Sequence, residues 1–255
     1  MLKFFRKIRQ NLLMENKTGK YFKYAIGEIL LVVIGILIAL GINNWNEQRK
    51  NRILEQNYIQ ELKIDLQRDS IAIKNLLKRS KTQVKAKYQL SKYLLENTNL
   101  DLDDNLSSYP EFAKNEDYNK DSLAIYYGRH WRPRYSFTPT TTTIDEMKST
   151  GKLGIISDQK LRRSLIETYN TYESFINGYQ NVYANNQLDI IKMTFDEIPE
   201  LYSINNDNLV ELFQTPRVLV RFRNNLVMKI NRGLLKIEEV NQNLLDKLNQ
   251  YAKKK

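Results

Sequence analysis

The longest uninterrupted apolar run in the chain is Ile29 to Ile42, and the wider segment Ala25 to Ile42, AIGEILLVVIGILIALGI, carries one charge, Glu28. At a rise of about 1.5 Å per residue this segment extends about 27 Å as a helix, against a hydrocarbon core of about 30 Å. It reads as a short transmembrane helix. Tyr21 and Tyr24 stand at one end and Trp45 at the other, where amphipathic rings favour the headgroup layer. The alternative, a buried helix of a soluble core, is disfavoured because nothing else in the chain is apolar enough to surround it. Before the run, residues 1–20 pattern as a basic amphipathic surface helix through Leu2, Phe4, Phe5, Ile8, Leu12 and Leu13, interrupted by Gly19.

Beyond Trp45 no proline or glycine occurs until Pro110. Leu54, Tyr58, Leu62, Leu66, Ile73, Leu77, Val84, Tyr88 and Leu95 recur at helical spacing and predict one long amphipathic helix ending near Asn97. Such a helix needs partners for its stripe. Residues 98–142 read as an irregular middle, with a short helix expected around Glu111 to Tyr126. Thr143 and Glu146 form a capping-box pattern for a helix from Ile144 that stops at Gly151. Ser157 and Asp158 start another, whose stripe Leu161, Leu165, Tyr172, Phe175, Tyr179 and Tyr183 extends to about Met193. After Pro199 comes a short helix near Asn208 to Phe213. Thr215 and Pro216 then cap a helix striped from Val218 through Phe222, Leu226, Ile230, Leu234 and Ile237 to Tyr251. The expected fold is all-α, an N-terminal transmembrane helix followed by an elongated helical bundle. Its parts are a basic segment 1–24, a spanning helix 25–44 and an exported helical domain 45–255.

The mean hydropathy of −0.56 persists despite the anchor, so the remainder is too polar for a multi-span protein. Lys and Arg total 40 against 29 Asp and Glu. Part of the excess lies before the membrane, where Lys3, Arg6, Lys7, Arg9, Lys17, Lys20 and Lys23 face only Glu15. That cluster points to cytoplasmic retention and anionic-lipid contact rather than nucleic-acid binding. The expected topology is a cytoplasmic N-terminus with the C-terminal domain outside. Ala39 and Gly41 could serve as small-residue positions of a signal-peptidase site, but the long basic lead and the helical continuation favour a retained anchor. The absence of cysteine excludes disulfides and thiolate chemistry without fixing the compartment.

Catalytic patterns are sparse. One histidine cannot build a multi-histidine metal site, and neither HExxH nor a glycine-rich phosphate loop occurs, so no catalytic residue, metal or cofactor is assigned. Asp101 to Ser108, DLDDNLSS, lacks the glycine and the terminal acid of an EF-hand and reads as a polar turn. Glu61, Asp65 and Asp69 share a helix face and read as solvated acids. Arg217, Arg221 and Arg223 could bind an anion, though an exposed basic face is the simpler reading. The most distinctive stretch is Tyr126 to Phe137. Its Arg129, His130, Trp131, Arg132, Arg134 and Tyr135 suit cation–π contacts, anion recognition or carbohydrate stacking, while a loop that plugs the bundle end is the structural alternative. The tyrosines of the stripe after Asp158 could line a ligand cleft or pack in the core with hydroxyls at its rim. In the membrane segment Gly35 and Ala39 share one face in a small-xxx-small pattern, with Glu28 nearby, which marks a candidate association surface.

Residues 4–50, FFRKIRQNLLMENKTGKYFKYAIGEILLVVIGILIALGINNWNEQRK, and more loosely residues 140–169, resemble a family of uncharacterised single-pass membrane proteins of the Bacteroidetes, especially flavobacteria. The resemblance implies a bacterial inner-membrane protein with an exported helical domain and carries no established activity or catalytic residues. The functional expectation is a noncatalytic, inner-membrane-anchored periplasmic scaffold or ligand-sensing module, with a second copy or an envelope protein as partner. A membrane-anchored envelope hydrolase is the alternative.

Overall fold

The computed structural model describes residues 18–131, 136–185, 188, 189, 192 and 205–254. Every regular element among the described residues is helical, so the fold is all-α as expected. The chain divides into two compact units, Met1–Asn57 and Tyr58–Lys255. Helix α1, Thr18–Asn97, contributes to both.

In the first unit the run from Ile29 to Ile42 is exposed throughout, with Leu31 at 67% and Leu37 at 61%. Contiguous apolar exposure on this scale marks a surface that meets a membrane or another protein. The helix is long and apolar enough to cross a membrane.

The second unit is organised on the remainder of α1. Leu62, Leu66, Asp69, Ile73, Leu76, Ser80, Gln83, Lys87, Leu90 and Leu94 are all buried and alternate at spacings of four and three, the repeat that keeps one face of a helix against its neighbours. A second seam of the same kind lies on α8, Val227–Lys254, through Val227, Ile230, Leu234, Ile237, Asn241, Leu244 and Leu248. Between them packs α5, Gln159–Phe175, presenting Leu161, Leu165, Tyr169, Tyr172 and Phe175. Full burial of each aliphatic side chain is worth about 1.5–3 kcal/mol, which makes these seams the main source of stability.

Buried polar groups fix the register. Asn231 Nδ2 donates to Ser80 Oγ at 3.0 Å, and Asn241 Nδ2 donates to the Leu66 carbonyl at 3.1 Å and to Tyr172 Oη at 2.6 Å. Higher numbers on α8 thus meet lower numbers on α1, so the two run antiparallel. Lys247 Nζ reaches Ser164 Oγ at 2.7 Å while Phe175 lies beside Gly233, which makes α5 antiparallel to α8 as well. A one-turn slip would strand each of these polar atoms without a partner.

One end of the bundle is closed by α3, Leu123–Trp131, α6, Leu209–Gln214, and α7, Pro216–Arg223, around Leu90, Leu94, Leu102, Tyr127, Phe213 and Phe222. The Phe213 ring meets Phe222 edge-on at 4.9 Å. Three sequence expectations are corrected here. The helix expected over Glu111 to Tyr126 is broken into α2, Glu111–Lys114, and α3. Between them Asp117 is drawn to α1, its carboxylate to Lys92 at 3.0 Å and its carbonyl to Gln89 at 3.1 Å. Tyr126 to Trp131 accordingly belongs to a helix rather than a loop. The stripe from Val218 to Tyr251 is likewise interrupted. Asn225 Oδ1 accepts from Val227 N at 2.8 Å and opens α8 as a new helix after α7.

The fourth correction concerns α4, Thr142–Ser149. Its Thr143 and Glu146 do not cap each other. Thr143 Oγ1 donates to Asp65 Oδ2 at 2.6 Å and Glu146 accepts from Tyr58 Oη at 2.6 Å, so both are spent on α1. That carboxylate and burial push the Tyr58 hydroxyl up to about 12 and keep it a donor. The stop at Gly151 is as expected, with φ 68°, a left-handed conformation that glycine adopts without strain. Asp158 caps α5 as expected, accepting from Lys160 N at 2.8 Å and Leu161 N at 3.1 Å.

Candidate functional site

The extended segment 136–141 is stitched down at three points. Phe137 N donates to Gln180 Oε1 at 2.7 Å. Thr140 donates to Asp69 Oδ1 through its backbone N–H at 2.8 Å and its hydroxyl at 2.9 Å. Tyr169 Oη donates to the Thr140 carbonyl at 3.1 Å. The Phe137 ring wedges against Tyr172 with centroids 5.1 Å apart. Asp65 and Asp69, read from sequence as solvated, are in fact 5% and 1% exposed, whereas Glu61 is exposed as expected. Helical spacing puts acids on one face but does not reveal that a threonine-rich segment packs over that face.

Asp69 is the unusual member. Its Oδ2 is buried with no hydrogen-bond partner among the described residues. Burial pushes its carboxyl above the ordinary 3.8, the two Thr140 bonds pull it back, and the Asp65 charge adds to the rise. Burial, with the negative charge of Asp69 next, raises the Tyr169 hydroxyl, which therefore stays protonated and able to donate.

The clamped segment, α4 and α5 enclose an open cleft of about 310 Å³. Its apolar lining is Pro139, Ile144, Tyr169 and Ile176; its polar lining is Thr141, Asp145, Lys148, Asn170, Glu173 and Asn177. The wall from α5 continues as a π turn, Ile176–Gln180, which supplies Ile176 and Asn177 to the cleft and Gln180 to the clamp. Wide turns of this kind occur often at functional sites because they re-aim side chains that a regular helix would carry away. Thr141 is the N-cap residue of α4, yet its hydroxyl makes no capping bond. Among the described residues the side chains of all six polar lining residues lack an intramolecular hydrogen bond or ion pair, in contrast to the committed groups beneath them.

Of the site residues singled out from sequence, none that the structure describes is among the cleft's lining residues. Arg129 is exposed near the end of α3, where its carbonyl accepts from Gln83 Nε2 at 3.2 Å. Arg132, Arg134 and Tyr135 lie outside the described residues, as do the side chains of His130 and Trp131. Glu28 is half-buried in the first unit, and Gly35 and Ala39 are exposed on α1. Nothing lies within 4 Å of where a Cβ on Gly35 would stand. Of the arginine trio, Arg223 bonds the Asp101 carbonyl and pairs with its carboxylate at 3.0 Å, while Arg221 pairs with Asp189 at 3.8 Å. Asp104 accepts from Ser91 Oγ at 2.6 Å and Tyr109 Oη at 2.7 Å, so the aspartate-rich turn is tied into the bundle. The cleft residues Asp145, Lys148, Asn170 and Asn177 were not distinguished by any sequence motif. The stripe tyrosines that the sequence offered as possible cleft residues, Tyr172, Tyr179 and Tyr183, are not in the lining, and the tyrosine that is, Tyr169, was not among them.

Fold and site together define an all-α protein with, among the described residues, one helix of membrane-spanning length and a polar-rimmed cleft in its helical bundle. Residues 28–198 match the Family of unknown function (DUF6090), and the chain belongs to that family. No curated protein and no solved structure matches it.

Proposed function

We propose that the protein is a noncatalytic module anchored in the bacterial inner membrane by residues 25–44, with a cytoplasmic N-terminus and a periplasmic helical domain that acts as a scaffold or ligand sensor. The observation that supports this reading is the exposed apolar surface of Ile29 to Ile42 on a helix long enough to cross a membrane, a surface that lipid would cover. The basic lead up to Lys23 supports the orientation, and the sequence resemblance supports the membrane assigned. A second copy or an envelope protein is the proposed lateral partner, using the face of Gly35 and Ala39 beside Glu28. The hydrolase alternative is weaker because the buried acids Asp65 and Asp69 are occupied by Thr143 and Thr140, holding segment 136–149 in place.

The test is turnover by full-length protein purified from membranes and reconstituted in nanodiscs, with peptides, esters and glycan fragments as substrates. No turnover above that of empty nanodiscs is expected. Turnover that co-purifies with the protein and is lost in Asp145→Asn would overturn the noncatalytic reading.

A further inference from the structure

We infer that the cleft between α4 and α5 binds a small zwitterion of dipeptide size, its ammonium held by Asp145 and Glu173 and its carboxylate by Lys148. This rests on the ligand-sensing form of the function proposed above and names its ligand class.

Size is the first constraint. At about 310 Å³ the cleft is at the bottom of the range of about 300–1,000 Å³ over which small-molecule pockets fall, which suits a ligand of dipeptide size. Charge is the second. Asp145 projects from α4 and Glu173 from α5, so acids stand on two walls, and Lys148 supplies the one cation of the lining. A single positive group on the ligand satisfies both acids, and a single negative group answers the lysine. Spacing is the third. Asp145 and Lys148 are three residues apart on one helix, which sets their Cβ atoms about 5–6 Å apart, comparable with the separation of the two termini of a short peptide. They do not pair with each other, nor with any other described residue. The Asn170 and Asn177 amides and the Thr141 hydroxyl, which makes no capping bond, are available for a peptide bond, and Pro139 and Ile176 give small side chains an apolar floor above the fully buried Ile144.

The site is also preorganised. Its Thr140–Thr141 wall is fixed from behind by Asp69, from the side by Tyr169, and through Phe137 by the π turn that presents Asn177. The backbone of that wall needs no ordering on binding, while the exposed Asp145, Lys148 and Glu173 side chains give up rotamer freedom when a ligand engages them.

The experiment is calorimetric titration of the full-length protein in nanodiscs with alanyl-alanine, N-acetyl-alanyl-alanine and alanyl-alanine amide. The free dipeptide should bind best, and blocking either terminus should weaken binding by at least about ten-fold. Asp145→Asn should erase the preference for a free amino terminus, and Lys148→Gln the preference for a free carboxylate. Both positions are exposed, so the helical circular dichroism should be unchanged, and Lys236→Gln outside the cleft should bind as the parent does. No binding of the free dipeptide, equal binding of the three probes, or unchanged selectivity in both variants would overturn the assignment while leaving the noncatalytic reading intact. Release of alanine from a dipeptide whose binding still depends on Asp145 and Lys148 would overturn the noncatalytic reading and sustain the cleft.

Discussion

Gly233 lies inside α8 with its α-carbon against the last turn of α5. A Cβ placed there would stand 2.8 Å from Phe175 Cδ2, 3.0 Å from Cε2 and 3.3 Å from Tyr179 Cδ2. The Phe175 ring is 2% exposed and is itself packed against Phe137 at 6.5 Å and Tyr179 at 6.1 Å, so it has no open space to move into. Gly233→Ala therefore sets two effects against each other. Helix propensity favours alanine by about 0.8–1 kcal/mol, whereas overpacking a filled core costs about 1–3 kcal/mol. The rigid, enclosed ring makes overpacking the larger, and a net loss of about 1 kcal/mol is expected, lowering Tm by about 2–4 °C for a domain of this size. Gly178 is the internal control, because nothing stands within 4 Å of its added Cβ and its φ is ordinary. Gly178→Ala should gain about 0.4–1 kcal/mol. Thermal unfolding of the reconstituted protein followed by circular dichroism reads both. A rise in Tm for Gly233→Ala comparable with that for Gly178→Ala would refute the close approach of α8 to α5, and with it the packing that backs the π turn.

Leu66→Ala and Ile230→Ala, each at 0% exposure on facing seams, should each cost about 2–5 kcal/mol in chemical denaturation, and unaltered midpoints for both would disprove the proposed core. Asp69 supplies a pH dependence of definite sign. Its folded-state affinity for a proton exceeds that of the unfolded chain, so its contribution to stability grows as pH falls towards 3.8 and is lost as pH rises through the folded value. Asp117, held low chiefly by its hydrogen bond with Lys92, works in the opposite direction but is common to both proteins in a comparison of the parent with Asp69→Asn. The stability difference should move in the parent's favour between about pH 7 and about pH 4, and a difference that is flat or moves the other way removes Asp69 from this role.

The long elements were legible because their apolar positions repeat. α1 ends at Asn97, α5 begins after Asp158 and α4 stops at Gly151, each where spacing, cap or glycine put it. Local signals failed where distant groups competed for the same side chains. Thr143 and Glu146 make a sound capping box on paper, but Asp65 and Tyr58 take both from across the bundle. Asp117 leaves a helical pattern for Lys92, and Asn225 stops one continuous stripe to start another helix. The cleft was the least legible feature. Its lining comes from α4, α5, a π turn and an extended segment, and spacing within one helix carries no record of which side chains on another will face it.

The absence of cysteine allows the central claim, an anchor with its helical domain on the far side of the membrane, to be read from single introduced thiols. Lys23→Cys precedes the apolar run and Asn99→Cys follows α1; both parent residues are exposed. Intact spheroplasts are treated with a membrane-impermeant maleimide, before and after permeabilisation. Labelling of Asn99→Cys in intact spheroplasts, with Lys23→Cys labelled only after permeabilisation, is the predicted result. Labelling of Lys23→Cys in intact spheroplasts while Asn99→Cys stays protected, or recovery of both variants in the soluble fraction, would contradict the account.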